Sequence, residues 1–217
     1  MANNFQDDSR EAAMIELFGL YKDVSEGRTG IDAFLNIDGK KLPFELKTTS
    51  QGSVTTVRDF GPEHIKKWED KHWLIGFYMS GEEYYKYVSP EDMKEWIDSK
   101  AEYIRPDFEL SEISAKKLSI EDLHQVVGNK SEYSYEDAKK LHKNQYSKAD
   151  YLAQMDLENG YSPERMLGIL KDRMVYISNR GSTLNNPHIP FSYFKDFEKI
   201  DDDHAEALRR QVRAKLK

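Results

Sequence analysis

The chain reads as an α/β (α+β mixed) fold: a mixed β-sheet flanked by helices, with a helical subdomain inserted into it. Three observations predict this. Apolar and polar residues alternate across residues 30–49, a continuous apolar run fills 73–78, and helix-start signals recur on both sides of them. From about Tyr103 to about 180 the sequence turns polar, helical and only weakly amphipathic. The expected division is a core over 1–103, a helical insertion over 104–180, and a return to the core over 181–217.

Ser9 is a candidate cap for a first helix over 9–24, with Ala12, Ala13, Ile15, Leu17, Phe18, Leu20 and Tyr21 as its apolar face. Ser25 to Gly30 ends it and leads into a hairpin. That hairpin has Gly30–Asn36 and Leu42–Thr49 as arms and Asp38-Gly39 in the turn, a strong short-range signal when alternation flanks it. Ser50–Phe60 is polar and extended. Gly61-Pro62 opens a helix to about Lys71, proline being favoured in a first turn. Trp73–Tyr78 has the continuous apolar character of a buried central strand, and Tyr84–Val88 reads as its hairpin partner. Ser89-Pro90-Glu91-Asp92 caps a helix to about Lys100.

Within 104–180, helix starts fall at Ser119, Ser134 and Ser162, and no repeat relates them. The best helix runs from Ser162 to about Asn179, with Met166, Ile169, Leu170, Met174 and Val175 inward. Leu184-Asn185-Asn186-Pro187-His188-Ile189-Pro190 is a rigid extended loop. Consecutive asparagines ordinarily serve turns, and asparagine can also read adenine in the major groove. A terminal helix carries Arg209, Arg210, Arg213, Lys215 and Lys217, which form either a solvated face or a patch for a polyanion. Lys139, Lys140, Lys143 and Lys148 pose the same choice.

The 217 residues suffice for a full hydrophobic core, and 38% apolar with 33% charged residues suits a globular chain with a heavily charged surface. No apolar run approaches a membrane span and the start has no signal-peptide pattern, so a cytoplasmic location without membrane partners is expected. With no cysteine, disulfides, thiolate catalysis and thiolate zinc sites are excluded, and the six histidines lack zinc-ligand spacing. The net charge of −7 argues against nonspecific nucleic-acid binding. It leaves room for a site whose carboxylates are filled by a cation, because binding depends on local charge.

The residues that carry chemistry lie on the hairpin. Strand side chains alternate, so Phe44 and Leu46 share one face and Glu45 and Lys47 the other. With Asp32 on that second face, two carboxylates and one ammonium converge. Two carboxylates can hold Mg²⁺, and the lysine can orient water or stabilise charge developing on a phosphate. This is the constellation of metal-dependent phosphodiester hydrolysis; its ordinary alternative is a solvated hairpin face.

In order along the chain, five features resemble PvuII-like type II restriction endonucleases of the PD-(D/E)xK nuclease superfamily. They are Phe5-Gln6-Asp7; Gly30-Ile31-Asp32-Ala33; Glu45-Leu46-Lys47; Thr55-Thr56 with Pro62 and Trp73 downstream; and Asn185-Asn186-Pro187-His188-Ile189-Pro190. The resemblance covers roughly residues 5–100 and 181–194 and leaves the insertion unmatched. It implies a restriction-endonuclease-like core that hydrolyses double-stranded DNA at a palindromic site, leaving 5′-phosphates. Asp32 and Glu45 would ligate Mg²⁺ with the Leu46 carbonyl, and Lys47 would assist the attacking water. Asp7 would lie near the minor groove. Thr55 and Thr56 would open a recognition segment continued by Arg58 and Asp59, and Asn185 and Asn186, with His188 beside them, would read the major groove.

Several departures qualify that expectation. Val57, Arg58 and Asp59 stand where the family has base-reading histidines, so the family's target sequence is not carried over; arginine can take guanine and aspartate can accept from cytosine. The local alternative is an Arg58–Asp59 ion pair. Trp68 replaces a tyrosine, and Thr29 replaces an acid before Asp32, which bears on a second metal. The hairpin between Asp32 and Glu45 is also longer. Only Met1 to Asn4 precede Phe5, so a homodimer interface is expected from the first helix and the insertion. A DNA methyltransferase encoded nearby is a further implied partner. The rival expectations are a structure-specific repair or recombination nuclease, a DNA-binding protein that does not cut, and a nonenzymatic interaction protein.

Overall fold

A computed structural model describes residues 3–23, 30–79 and 81–216, with side chains from Ser9 onward. The chain is a mixed α/β protein that divides into two units, one of residues 1–101 and 184–217 and the other of 102–183. The boundaries expected from composition, 103/104 and 180/181, lie two and three residues from these.

In the first unit, α1 (Asn3–Phe18) buries Met14 and Phe18 completely. It starts earlier than expected, leaving Ser9 inside the helix, and it stops at Gly19, whose φ of +62° is one that glycine adopts without a Cβ penalty. Beyond Gly19 the helical expectation for Leu20 and Tyr21 fails. Leu20 turns into the core, and Tyr21 pairs its backbone in both directions with Phe34 (3.0 and 2.8 Å).

The hairpin forms as the alternation predicts. β1 (Ala33–Ile37) and β2 (Lys40–Thr49) pair antiparallel from Ala33↔Phe44 to Ile37↔Lys40. Asp38 and Gly39 both take positive φ (50° and 77°), which lets the turn follow the strand twist. The short β3 (Ser53–Thr55) and α2 (Pro62–Trp68) precede β4 (His72–Met79), β5 (Glu82–Val88) and α3 (Pro90–Lys116). The last helix, expected to end near Lys100, continues through Pro106 to Lys116.

The second unit holds α4 (Ile120–Val127), β6 (Tyr133–Ser134), α5 (Tyr135–His142), α6 (Lys148–Ala153), β7 (Gly160–Tyr161) and α7 (Pro163–Ser182). The caps expected at Ser119, Ser134 and Ser162 are present, and Ser147 supplies a fourth for α6, a helix the sequence reading missed. In three of them the serine and an aspartate three residues on satisfy each other's backbone N–H. A separate core gathers Leu123, Tyr133, Ala138, Tyr151, Tyr161, Met166 and Ile169. On α7, Met166, Ile169 and Leu170 are buried, whereas Met174 and Val175 are only half-buried.

The chain returns to the first unit through β8 (His188–Pro190), a 3-10 turn at Phe191–Phe194, β9 (Lys199–Ile200) and α8 (His204–Lys215). The main sheet runs β1-β2-β4-β5-β9 and is mixed: β2 and β4 are parallel, and every other neighbouring pair is antiparallel. Its first face packs Leu35, Phe44, Leu46 and Leu74 with Met14 and Phe18 of α1 and Leu208 and Val212 of α8. The other side carries an aromatic cluster of Phe60, Trp68, Trp73 and Trp96. Among the described residues, no helix is long and apolar enough to cross a membrane.

The basic residues of α8 are engaged within this unit. Arg213 meets Asp38 at 3.3 Å, Lys215 meets Asp92 at 2.6 Å, Arg210 pairs with Glu198, and Arg209 donates to the Ala205 carbonyl. This terminal helix uses its cations to tie itself down, which favours the ordinary reading of the run over a polyanion patch.

Candidate active site and nucleic-acid interface

The period-two alternation of β2 turns Phe44 and Leu46 into the α1/α8 core and leaves Glu45 and Lys47 on the opposite face. Asp32 immediately precedes β1, and its Oδ2 accepts the Leu46 N–H at 2.9 Å, fixing the carboxylate across the hairpin. The Lys47 ammonium is the point of convergence. Its Nζ lies 2.8 Å from Glu45 Oε1, 3.0 Å from the Leu46 carbonyl oxygen and 3.9 Å from Asp32 Oδ2. The three oxygen groups assigned to one centre by the resemblance therefore do surround a single cationic atom.

A fourth group, absent from the sequence reading, completes the set. Lys71, at the loop before β4, is 2% exposed and pairs its ammonium with Oε2 of Glu45, itself 4% exposed. Parallel pairing of β2 with β4 sets Phe44 beside His72 and Glu45 beside Trp73, which brings the loop residue Lys71 to the carboxylate. Burial disfavours a charged Glu45, but the Lys47 and Lys71 ammoniums outweigh it and pull its pKa from 4.5 down to about 2. Burial likewise works against the Lys47 charge. The Glu45 and Asp32 carboxylates outweigh it and hold this lysine above its usual range, with Glu11 of α1 adding to the same field.

The donor set suits a hard divalent cation. Two carboxylates and a backbone carbonyl present oxygen only, the ligand type Mg²⁺ requires, and an ammonium already sits among them. Among the described residues no group of three or more His, Cys, Asp or Glu side chains forms a metal-binding cluster. A cation here would draw on Asp32, Glu45 and the Leu46 carbonyl, with water filling the remaining positions.

Beyond β2, the chain builds a two-stranded ribbon from segments far apart in sequence. β3 and β8 pair antiparallel as Ser53↔Pro190, Val54↔Ile189 and Thr55↔His188. Val54 and Ile189 are fully buried and anchor it. The Thr56 hydroxyl donates to the Pro187 carbonyl (2.6 Å), the Asn186 N–H donates to the Val57 carbonyl (3.0 Å), and Phe60 pairs its backbone with Leu184. At the base, the Phe191 N–H donates to Gly52, and Lys86 donates to the Phe194 carbonyl at 2.6 Å. The Thr49 hydroxyl donates to the Ser53 carbonyl at 2.7 Å, linking the end of β2 to the ribbon.

The ribbon brings Thr55, Thr56, Asn185, Asn186 and His188 together. Thr55, Asn185 and His188 are exposed; His188 Nδ1 lies 3.3 Å from the Thr55 hydroxyl and 3.4 Å from that of Ser53. Thr56 is half-buried and spends its proton on the clamp to Pro187. Asn186 sits at φ +51°, a left-handed conformation that asparagine tolerates better than most residues. Arg58 and Asp59 follow, both exposed, and no ion pair joins them. Trp68 is buried against Phe60 and Trp73 as a core residue. The Asp7 side chain and Thr29 lie outside the described residues. No family model matches this chain, and comparison with curated proteins finds none that matches it.

Proposed function

We propose that this chain is a Mg²⁺-dependent endonuclease of the type II restriction class, with a restriction-endonuclease-like core that hydrolyses double-stranded DNA. One observation carries the reading: Asp32, Glu45, the Leu46 carbonyl and Lys47 meet around one atom, beside a ribbon made of the two segments assigned to base recognition. A solvated hairpin face gives no reason for a glutamate and a lysine to be buried together at the foot of such a ribbon.

In this reading Asp32, Glu45 and the Leu46 carbonyl hold Mg²⁺, and the bound ion supplies Lewis-acid neutralisation of charge on the scissile phosphate. The backbone N–H of Leu46 orients Asp32, and the paired lysines orient Glu45. Lys47 donates hydrogen bonds toward the attacking water or a phosphate oxygen, favouring in-line displacement. Thr55, Arg58, Asp59, Asn185, Asn186 and His188 present donors and acceptors at the width of a β-ribbon, an element the major groove admits. A two-fold dimer would present two such ribbons to a palindrome.

The test is digestion of a large mixed-sequence DNA with Mg²⁺ or EDTA, using wild type and Lys47→Ala. Discrete Mg²⁺-dependent fragments that disappear in the variant are expected, and sequencing their ends gives the site and stagger. Cutting confined to junctions or flaps would replace the restriction assignment with a structure-specific nuclease. Tight metal-independent duplex binding without cutting would leave a DNA-binding protein. Sedimentation at micromolar concentration, with and without DNA, should show a dimer; a monomer under both conditions would overturn the palindromic part.

A further inference from the structure

Lys71 has so far served only to orient Glu45, yet it is among the most buried charged residues described. Lysine is rarely buried to this extent unless paired, and its partner here is one oxygen of the carboxylate at the centre of the site. Resting on the metal-site reading above, we propose that Lys71 is a positioning residue that occupies Oε2 of Glu45 and so limits the site to one divalent cation per chain.

The geometry separates the two oxygens of Glu45. Oε1 faces the convergence point with Lys47, the Leu46 carbonyl and Asp32, whereas Oε2 is turned to Lys71. Two-cation sites hold their ions about 4 Å apart as a clamp on the attacking and leaving oxygens. A carboxylate that bridges such a pair must give one oxygen to each ion. With Lys71 fixed on Oε2, Glu45 turns only Oε1 toward the convergence point, where it also meets Lys47 at 2.8 Å, and Asp32 Oδ2 accepts the Leu46 N–H. Among the described residues no group of three or more His, Cys, Asp or Glu side chains is placed to hold a metal ion. Charge points the same way. Asp32 and Glu45 are balanced by Lys47 and Lys71, with Glu11 of α1 a further negative charge acting on Lys47, and a second divalent ion would bring the added positive charge to four. Lys71 thus stands where a second cation would otherwise draw on Glu45.

A purely structural ion pair would make Lys71 matter for folding and leave metal binding alone, so binding of Mn²⁺ is the readout. The full chain, with and without a DNA duplex, is titrated with Mn²⁺ and free ion is followed by electron paramagnetic resonance. Asp32→Ala serves to subtract adventitious surface ions. One site-dependent Mn²⁺ per wild-type chain is expected. Lys71→Met, which removes the charge held on Oε2, should admit a second site-dependent Mn²⁺ while cleaving DNA more slowly. Two site-dependent ions per wild-type chain would overturn the proposal, as would a folded Lys71→Met protein that still binds a single site-dependent ion. If Lys71→Met does not fold, the wild-type count decides. Absence of both site-dependent Mn²⁺ and metal-dependent cleavage would instead remove the metal-centre reading, and this inference with it.

Discussion

Acid should destabilise the first unit through His72, and the structure sets both the window and the size. The His72 ring is 5% exposed, stacked on Phe44 (5.3 Å between ring centres) and Tyr87 (5.8 Å), with Nδ1 2.7 Å from the Tyr87 hydroxyl. Burial drives its pKa from 6.5 down to about 4, against a smaller opposing pull from Glu91. Below 6.5 the unfolded chain takes a proton that the folded chain refuses. The stability this group contributes is therefore complete above 6.5, falls between 6.5 and 4, and changes no further below that. At about 1.4 kcal/mol per pH unit, the loss across the window is about 3 kcal/mol. His72→Phe keeps the stacking and removes the titration. It also leaves the Tyr87 hydroxyl without its partner, a pH-independent cost of about 1–3 kcal/mol. Urea unfolding of both proteins at pH 7, 6, 5 and 4, followed by tryptophan fluorescence, reads this unit alone, because Trp68, Trp73 and Trp96 all lie in it. The wild-type midpoint should fall more steeply with acid than that of the variant. Equal losses in the two proteins would refute the assignment to His72.

Three further outcomes are expected. Lys47→Ala should lower Mg²⁺-dependent DNA cleavage by roughly 10²–10³-fold while circular dichroism shows an intact fold, since one charged donor is lost and Lys71 still pairs with Glu45. At Asn186, where φ is +51°, valine should cost about 1–2 kcal/mol in urea unfolding and glycine little; Asn185→Ala, exposed, should leave stability alone and weaken cleavage of the preferred site by roughly 10–100-fold. Residues 102–183 expressed alone should fold around their own core. There Gly160→Ala, whose Cβ would lie 2.5 Å from the Tyr133 carbonyl oxygen, should lower the melting temperature by about 4–8 °C for each kcal/mol lost.

Much of this was legible locally. Asp38-Gly39 between alternating arms specified the hairpin, and the two-residue period specified that Glu45 and Lys47 share a face. Serines followed three residues later by aspartate marked α4 and α5, because the capping box is complete within four residues. The same signal stands at Ser147, before a helix of only six residues. Two errors came from elements whose ends are decided elsewhere. Leu20 and Tyr21 fit a helical pattern, but core burial and pairing with Phe34 claim them. The helix begun at Ser89-Pro90 is expected to end near Lys100, yet α3 runs to Lys116.

The sequence by itself determined the residue types that can hold a hard cation, the common face of Glu45 and Lys47 on β2, and the extended character of the segments around Thr55 and Asn186. Only the tertiary structure decided that those segments pair, 131 residues apart from Thr56 to Pro187, and that Lys71 closes on Glu45. Local patterns cannot contain either fact. Ribbon pairing is set by burial of Val54 and Ile189, and the place of Lys71 by the parallel register of β2 and β4, which no alternation within a single strand encodes.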